Sequence, residues 1–195
     1  MKRLLAAVAM PLSLSLACAT PSMPEAHGAI KPGAFAPPAV PGNLKAPEGA
    51  VPELMVEAKG VQIYVCRPEE RKAEPPRKFN WEFKAPEAQL SDPGGELVGK
   101  HYAGPTWEWR DGSRVVGEVK EKATPSADAI PWLLLQAKSN SGNGALSGVT
   151  YIQRTDTTGG KAPSAGCDDA AIGQEARVDY SARYYFYSSA PVRAR

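Results

Sequence analysis

The chain has 195 residues, with 23 Lys and Arg set against 21 Asp and Glu for a formal net charge of +2. The two signs are interspersed and no basic block stands out, which argues against nucleic acid as a partner. Without its leader and linker the chain leaves roughly 140–150 residues, one domain with enough length to bury a substantial core.

The first segment reads as an export signal. Lys2 and Arg3 lead a run rich in Leu, Ala and Val, and small residues surround Cys18. Two endings are open. Ala17, Cys18 and Ala19 suit ordinary cleavage after Ala19, making residues 1–19 the signal. Alternatively the signal is residues 1–17 and Cys18 carries a lipid; Ala17 fits that pattern, whereas Ser15 stands where an aliphatic residue is usual. A lipid on Cys18 would be the only expected membrane contact, because no later stretch reaches the ~20 apolar residues of a spanning helix. Residues 20–50 are rich in Pro, Gly and Ala and read as an extended linker. The folded domain is expected over residues 51–190, followed by a short tail, 191–195.

Within the domain, Val61 to Cys66 alternates and is β-branched, the mark of a strand. Pro68 to Lys78 reads as a charged surface loop. From Phe79 to Phe83 the aromatics fall on one face, with Asn80 and Glu82 on the other. Glu87 to Leu90 reads as a further short strand, and Asp92 to Gly95 as a turn. Thr106 to Arg110 alternates again. Asp111 and Gly112 then separate it from Ser113 to Val119, a strong hairpin signal. Trp132 to Leu135 suits a strand buried on both faces, with a buried helical turn as the alternative. Leu146 to Arg154 resumes as a strand. The last strand, Arg177 to Tyr187, places Val178, Tyr180, Ala182, Tyr184 and Phe186 on one face. About seven to nine short strands with turns between them predict an all-β antiparallel sandwich or barrel.

Export leaves Cys66 and Cys167 in a compartment where disulfides persist, so a bridge between them is expected, against the alternative of two separate buried thiols. Such a bridge closes a loop of roughly a hundred residues, worth about 4–5 kcal/mol in the chain-entropy account.

The densest polar and aromatic cluster runs from Lys100 to Asp111. His101 is the only histidine of the folded part, and an imidazole can serve as general base with Glu108 or Asp111 to orient it. Ser113 is the nearest hydroxyl, but no G-x-S-x-G elbow exists. The plainer reading has His101 bonding a backbone carbonyl. No metal site is expected: a lone His without a Cys cluster is a poor start for zinc. Trp107, Tyr102, Tyr185 and Tyr187 are ligand-binding candidates, the last two because they oppose the core-facing Tyr184 and Phe186. Gly159 to Lys161 lacks the phosphate-loop spacing and no G-x-G-x-x-G is present, so no cofactor is expected.

Four stretches, Lys59 to Cys66, His101 to Trp107 with Asp111 to Ser113, Ile130 to Leu135, and Gly159 to Pro163 leading to Cys167, together resemble the family named domain of unknown function 3455. The resemblance spans about Val51 to Tyr187. It implies an exported domain with the two-cysteine pattern and without an agreed activity. Some relatives carry a malate dehydrogenase label, which the missing dinucleotide fingerprint does not support here. The functional expectation is a non-catalytic module that binds a small molecule or envelope polymer. It would be exported to the periplasm, to the exterior, or to a membrane surface through Cys18. A hydrolase using His101 with Glu108 or Asp111, and a structural or interaction protein of the envelope, are the alternatives.

Overall fold

Every strand of the domain is bonded to the strands before and after it in sequence, and the first closes on the last. The computed structural model describes residue 36 and residues 38–69 and 77–189. The leader with Cys18, most of the linker, the Pro75–Pro76 part of the first loop and the tail lie outside the described residues. Eight antiparallel strands form one closed barrel in the order β1 to β8. They are β1 (Ala50–Pro68), β2 (Phe79–Ser91), β3 (Leu97–Tyr102), β4 (Thr106–Trp109), β5 (Arg114–Ala123), β6 (Trp132–Ser141), β7 (Val149–Gly159) and β8 (Glu175–Ser189). Of the two architectures expected, the barrel is the one formed. Closure gives each described strand a neighbour on both sides, although β2 from Phe79 to Glu87 is paired with β1 alone.

The seam runs between the two longest strands. β1 pairs with β8 from Ala50–Ser189 to Val65–Glu175, and with β2 from Glu57–Ser91 to Pro68–Phe79. β2 is one strand of 13 residues rather than two short ones. Pro86 sits in its middle, opposite Gln62, in a part that pairs with β1 only. Its missing N–H therefore costs no ladder bond on the open side. The expected hairpin joins β4 to β5: Gly112 takes φ +84 and donates its N–H to the Trp109 carbonyl. A positive φ there suits glycine, which has no Cβ to clash.

The two ends of the barrel differ. One end, with the β2–β3, β4–β5 and β6–β7 turns, is filled by Leu54, Val56, Leu90, Trp109, Val115, Leu146, Ile152 and Phe186. The other, with the β1–β2, β3–β4, β5–β6 and β7–β8 connections, is hollow. There Cys66 and Cys167 form a disulfide with a sequence separation of 101, pinning the β7–β8 connection to the end of β1. Around the staple, Cys66 exchanges backbone bonds with Gly173 and Gln174. The Trp81 indole donates to the Ala165 carbonyl, and Asp168 caps the 3-10 turn Asp169–Ala171.

The outer face has one covered patch. Gly42–Leu44, inside the stretch read as linker, forms a 3-10 turn packed on β5 and β6. Leu44 is fully buried and its carbonyl accepts from Gln153. The packed body therefore starts before residue 51, because an apolar side chain and a backbone acceptor in this turn find partners on the barrel wall. This cover also explains Leu134. It points away from the interior opposite Gln153, yet is buried, as the run Trp132 to Leu135 led one to expect.

Candidate functional site

The hollow end holds a cavity of about 490 Å³ to which all eight strands contribute. Its walls are largely apolar, with Ile130, Pro131, Leu133, Leu135, Pro105 and Trp107 prominent. Phe83 and Val119, two of the large hydrophobics that are most exposed, stand among its lining residues and give the opening an apolar rim. A volume of this size is in the range of small-molecule sites, and eight strands are about the number that lets a barrel enclose one small ligand.

The floor is aromatic. Trp107 on β4 pairs across the ladder with His101 on β3, so both side chains point inward. Their rings stack at 4.3 Å between centroids, 14° from parallel. Tyr184 of β8 meets both edge-on, at 5.2 Å from each. Gly117 on β5 makes room for this floor: a Cβ there would lie 3.0 Å from the Trp107 ring and 3.2 Å from Leu135.

Polar groups interrupt the apolar wall at a few points. His101 Nδ1 lies 2.8 Å from the Thr106 carbonyl. A carbonyl only accepts, so Nδ1 carries the proton and Nε2 keeps its lone pair. Burial pushes the imidazole pKa down to about 3, with the Arg154 charge adding to the shift and the Thr106 bond opposing it. His101 is therefore neutral near pH 7. Tyr64 donates to the Gly160 carbonyl at 2.6 Å, and burial raises its pKa. Arg154 of β7 donates from Nε and Nη2 to the Pro131 carbonyl, at 3.0 and 2.8 Å. Burial likewise raises the pKa of Tyr180 and Tyr184. Among the described residues four buried polar atoms make no hydrogen bond within 3.5 Å: Gln62 Nε2, Trp107 Nε1 and the hydroxyls of Tyr180 and Tyr184, although Gln62, Tyr180 and Tyr184 lie near enough to one another to influence the two phenols. Gln62, Trp107 and Tyr184 line the cavity itself. A buried donor left unpaired costs about 1–3 kcal/mol, so each of these positions favours a polar partner.

The candidates named from sequence are dispersed. His101 and Trp107 meet at the floor. Glu108 follows Trp107 and therefore points outward, where Lys100, Arg114 and the Tyr102 hydroxyl engage it. That hydroxyl is the main reason its carboxyl pKa is lowered. Asp111 is locked in the β4–β5 turn, accepting from the N–H groups of Ser113 and Ala145. Ser113 is fully buried and its hydroxyl accepts from Leu146 N–H. A base at His101 oriented by Glu108 or Asp111 is thus not assembled: strand alternation puts Glu108 outside the barrel and the imidazole inside, and the β4–β5 turn holds Asp111. Among the described residues no group of three metal-ligating side chains occurs.

Tyr102 lies on the exterior with Glu108, and the Lys100 ammonium stands 5.6 Å from its ring centre. Tyr185 and Tyr187 do oppose Tyr184 and Phe186, but neither is open to a ligand. Tyr187 is 1% exposed and its hydroxyl donates to Gln153, which in turn donates to Leu44. Through Gln153 the hydroxyl of Tyr187 is tied to the 3-10 turn instead of being left for a ligand.

Gln62 and Arg154 escaped the sequence reading. The available signal was parity: Gln62 shares a face with Tyr64, and Arg154 with Ile152. A second depression, of about 710 Å³, lies on the outer face of β1 to β4. Most of its charges are satisfied in the pairs Lys100–Glu108, Arg110–Glu96 and Arg177–Glu87, and it is broadly open to solvent, so it offers a ligand less than the interior does.

Residues 47–188 match the family described as Protein of unknown function (DUF3455). The chain belongs to that family. The match covers the barrel from just before β1 almost to the end of β8, so the DUF3455 domain and the barrel coincide. No curated protein matches the chain, and no solved structure does.

Proposed function

We propose that this protein is a non-catalytic binding module that holds a small, largely apolar molecule inside the barrel. The observation that carries this reading is the 490 Å³ cavity with three buried side chains on its wall, Gln62, Trp107 and Tyr184, each with one polar atom that makes no hydrogen bond within 3.5 Å to a described residue. A cavity floored by a stacked Trp–His pair supplies dispersion contacts, and the orphaned donors supply orientation. The opposite end of the barrel is filled by side chains, so the cavity is confined to one end and suits a small molecule better than a polymer.

The disulfide and the leader together favour export. A bridge across 101 residues persists in an oxidising compartment. Intact-mass measurement on the mature chain distinguishes cleavage after Ala19 from a lipid on Cys18. A full-length mass recovered from the cytoplasm would overturn the export reading.

The binding test uses the neutral dye N-phenyl-1-naphthylamine. Saturable one-to-one uptake with quenching of tryptophan emission is expected. Leu133→Trp, which fills the cavity from its wall, should abolish uptake while the far-ultraviolet circular dichroism stays unchanged. Uptake that fails to saturate, or that survives Leu133→Trp, would overturn the reading.

A further inference from the structure

Arg154 places a guanidinium on the cavity wall. It lies on β7 opposite Tyr184 of β8 and Leu133 of β6, and lines the cavity with both. It forms no ion pair with any carboxylate among the described residues. Its Nε and Nη2 both donate to the single carbonyl of Pro131, which fixes the plane of the guanidinium. One edge of the fork is thereby used. The other edge, formed by Nη1 and the second hydrogen of Nη2, makes no hydrogen bond within 3.5 Å to a described residue; its polar neighbour is the Tyr184 hydroxyl, whose pKa the guanidinium helps to hold down. The titratable groups that feel its charge are His101, Tyr64, Tyr180 and Tyr184, all neutral near pH 7. A cation held in place among neutral aromatic and aliphatic walls lacks its counter-ion.

The other unpaired groups match the same need. Gln62 Nε2 and Trp107 Nε1 are obligate donors, and the Tyr184 hydroxyl is free to donate. The cavity therefore presents an excess of hydrogen-bond donors together with one fixed positive charge. We infer that the cavity binds an apolar monocarboxylate, its carboxylate held two-pronged on the free edge of Arg154 and its hydrocarbon or aromatic body laid against Trp107 and Leu135. A planar carboxylate fits a guanidinium edge through two parallel bonds, which a lysine cannot reproduce. A phosphate monoester, with its two negative charges, would demand a second cation, and no other guanidinium or histidine cation lines the site. Lys84 stands at the rim, with its ammonium engaged by Glu175. This inference rests on the cavity being a binding site at all.

Matched pairs of probes test it: decanoate against decanamide, and 2-naphthoate against 2-naphthamide, each titrated as a competitor of N-phenyl-1-naphthylamine. Each carboxylate is expected to bind at least tenfold more tightly than its amide. Arg154→Gln should bring that ratio close to one by weakening the carboxylate and leaving the amide nearly unchanged. Arg154→Lys, which keeps the charge but not the fork, should retain part of the preference and guards against a folding failure of the glutamine variant. Equal binding of acid and amide to the wild-type protein would overturn the carboxylate assignment while leaving the binding module intact. If dye, acids and amides all stay out, both readings fall together.

Discussion

The His101 imidazole lies against the Trp107 indole, ring centroids 4.3 Å apart and planes 14° from parallel, with Nδ1 tied to the Thr106 carbonyl. Burial keeps the imidazole neutral, against the opposing effect of the Thr106 bond. The unfolded chain takes up a proton on histidine near pH 6.5, whereas the folded chain resists until about pH 3. Between those values the unfolded state binds the extra proton, so stability is intact above pH 6.5 and falls as the pH drops below it. The slope approaches about 1.4 kcal/mol per pH unit for one such group. Urea unfolding at pH 7.5 and pH 5 should show a loss of about 2 kcal/mol in the wild type. His101→Gln should lose much less. Equal losses in both proteins would show that the histidine does not resist protonation. The lower pH is kept at 5 so that Glu108 and Asp111, with pKa values below the usual carboxylate range, stay ionised.

Tyr187, Gln153 and Leu44 form a chain of hydrogen bonds on the outer wall. Burial pushes the phenol pKa up to about 12, with Tyr185 adding to it. Tyr187→Phe leaves the Gln153 side-chain carbonyl buried without its donor, a loss of about 1–3 kcal/mol. Uptake of N-phenyl-1-naphthylamine should be unchanged, since the tyrosine faces away from the cavity. A variant as stable as the wild type, or one that no longer takes up the dye, would contradict this placement.

The staple between Cys66 and Cys167 should be felt mainly in the unfolded chain. A closed loop of 101 residues gives an entropic stabilisation of about 4–5 kcal/mol, an upper figure because the denatured chain is not fully random. The double variant Cys66→Ala with Cys167→Ala is expected to unfold at a much lower denaturant midpoint, and reducing agent should destabilise the wild type but not the variant. Indifference of the wild type to reduction would mean that the bridge contributes little.

Most strands could be read from alternation, because a one-sided core forces period two: Val61 to Cys66, Trp107 with Trp109, and Tyr180 to Phe186 all show it. Alternation assigns faces but not closure, so barrel and sandwich stayed equivalent until β1 was seen to bond both β2 and β8. Pro86 disguised the length of β2, since the sequence does not reveal that this stretch has a partner on one side only. The site was half legible. Its aromatic floor stood out, but Gln62 and Arg154 are polar residues on inward-facing positions, where polarity normally signals the outside. Tyr187 was misjudged for the converse reason: it is buried and its hydroxyl is taken by Gln153, which also holds Leu44, a residue separated from it by most of the chain. Such long-range cover leaves no local pattern.

Gly117 offers the sharpest test of the cavity floor. A Cβ at this position would press on both the Trp107 ring and Leu135, at 3.0 and 3.2 Å, whereas Gly148 has open space around it. The backbone at neither position is in the left-handed region, so the contrast isolates packing. Gly117→Val should cost about 1–3 kcal/mol by overpacking, shift the tryptophan emission and reduce dye uptake by displacing the indole into the cavity. Gly148→Val should change neither emission nor uptake. If Gly117→Val binds the dye as the wild type does, Trp107 is not the floor on which a ligand rests.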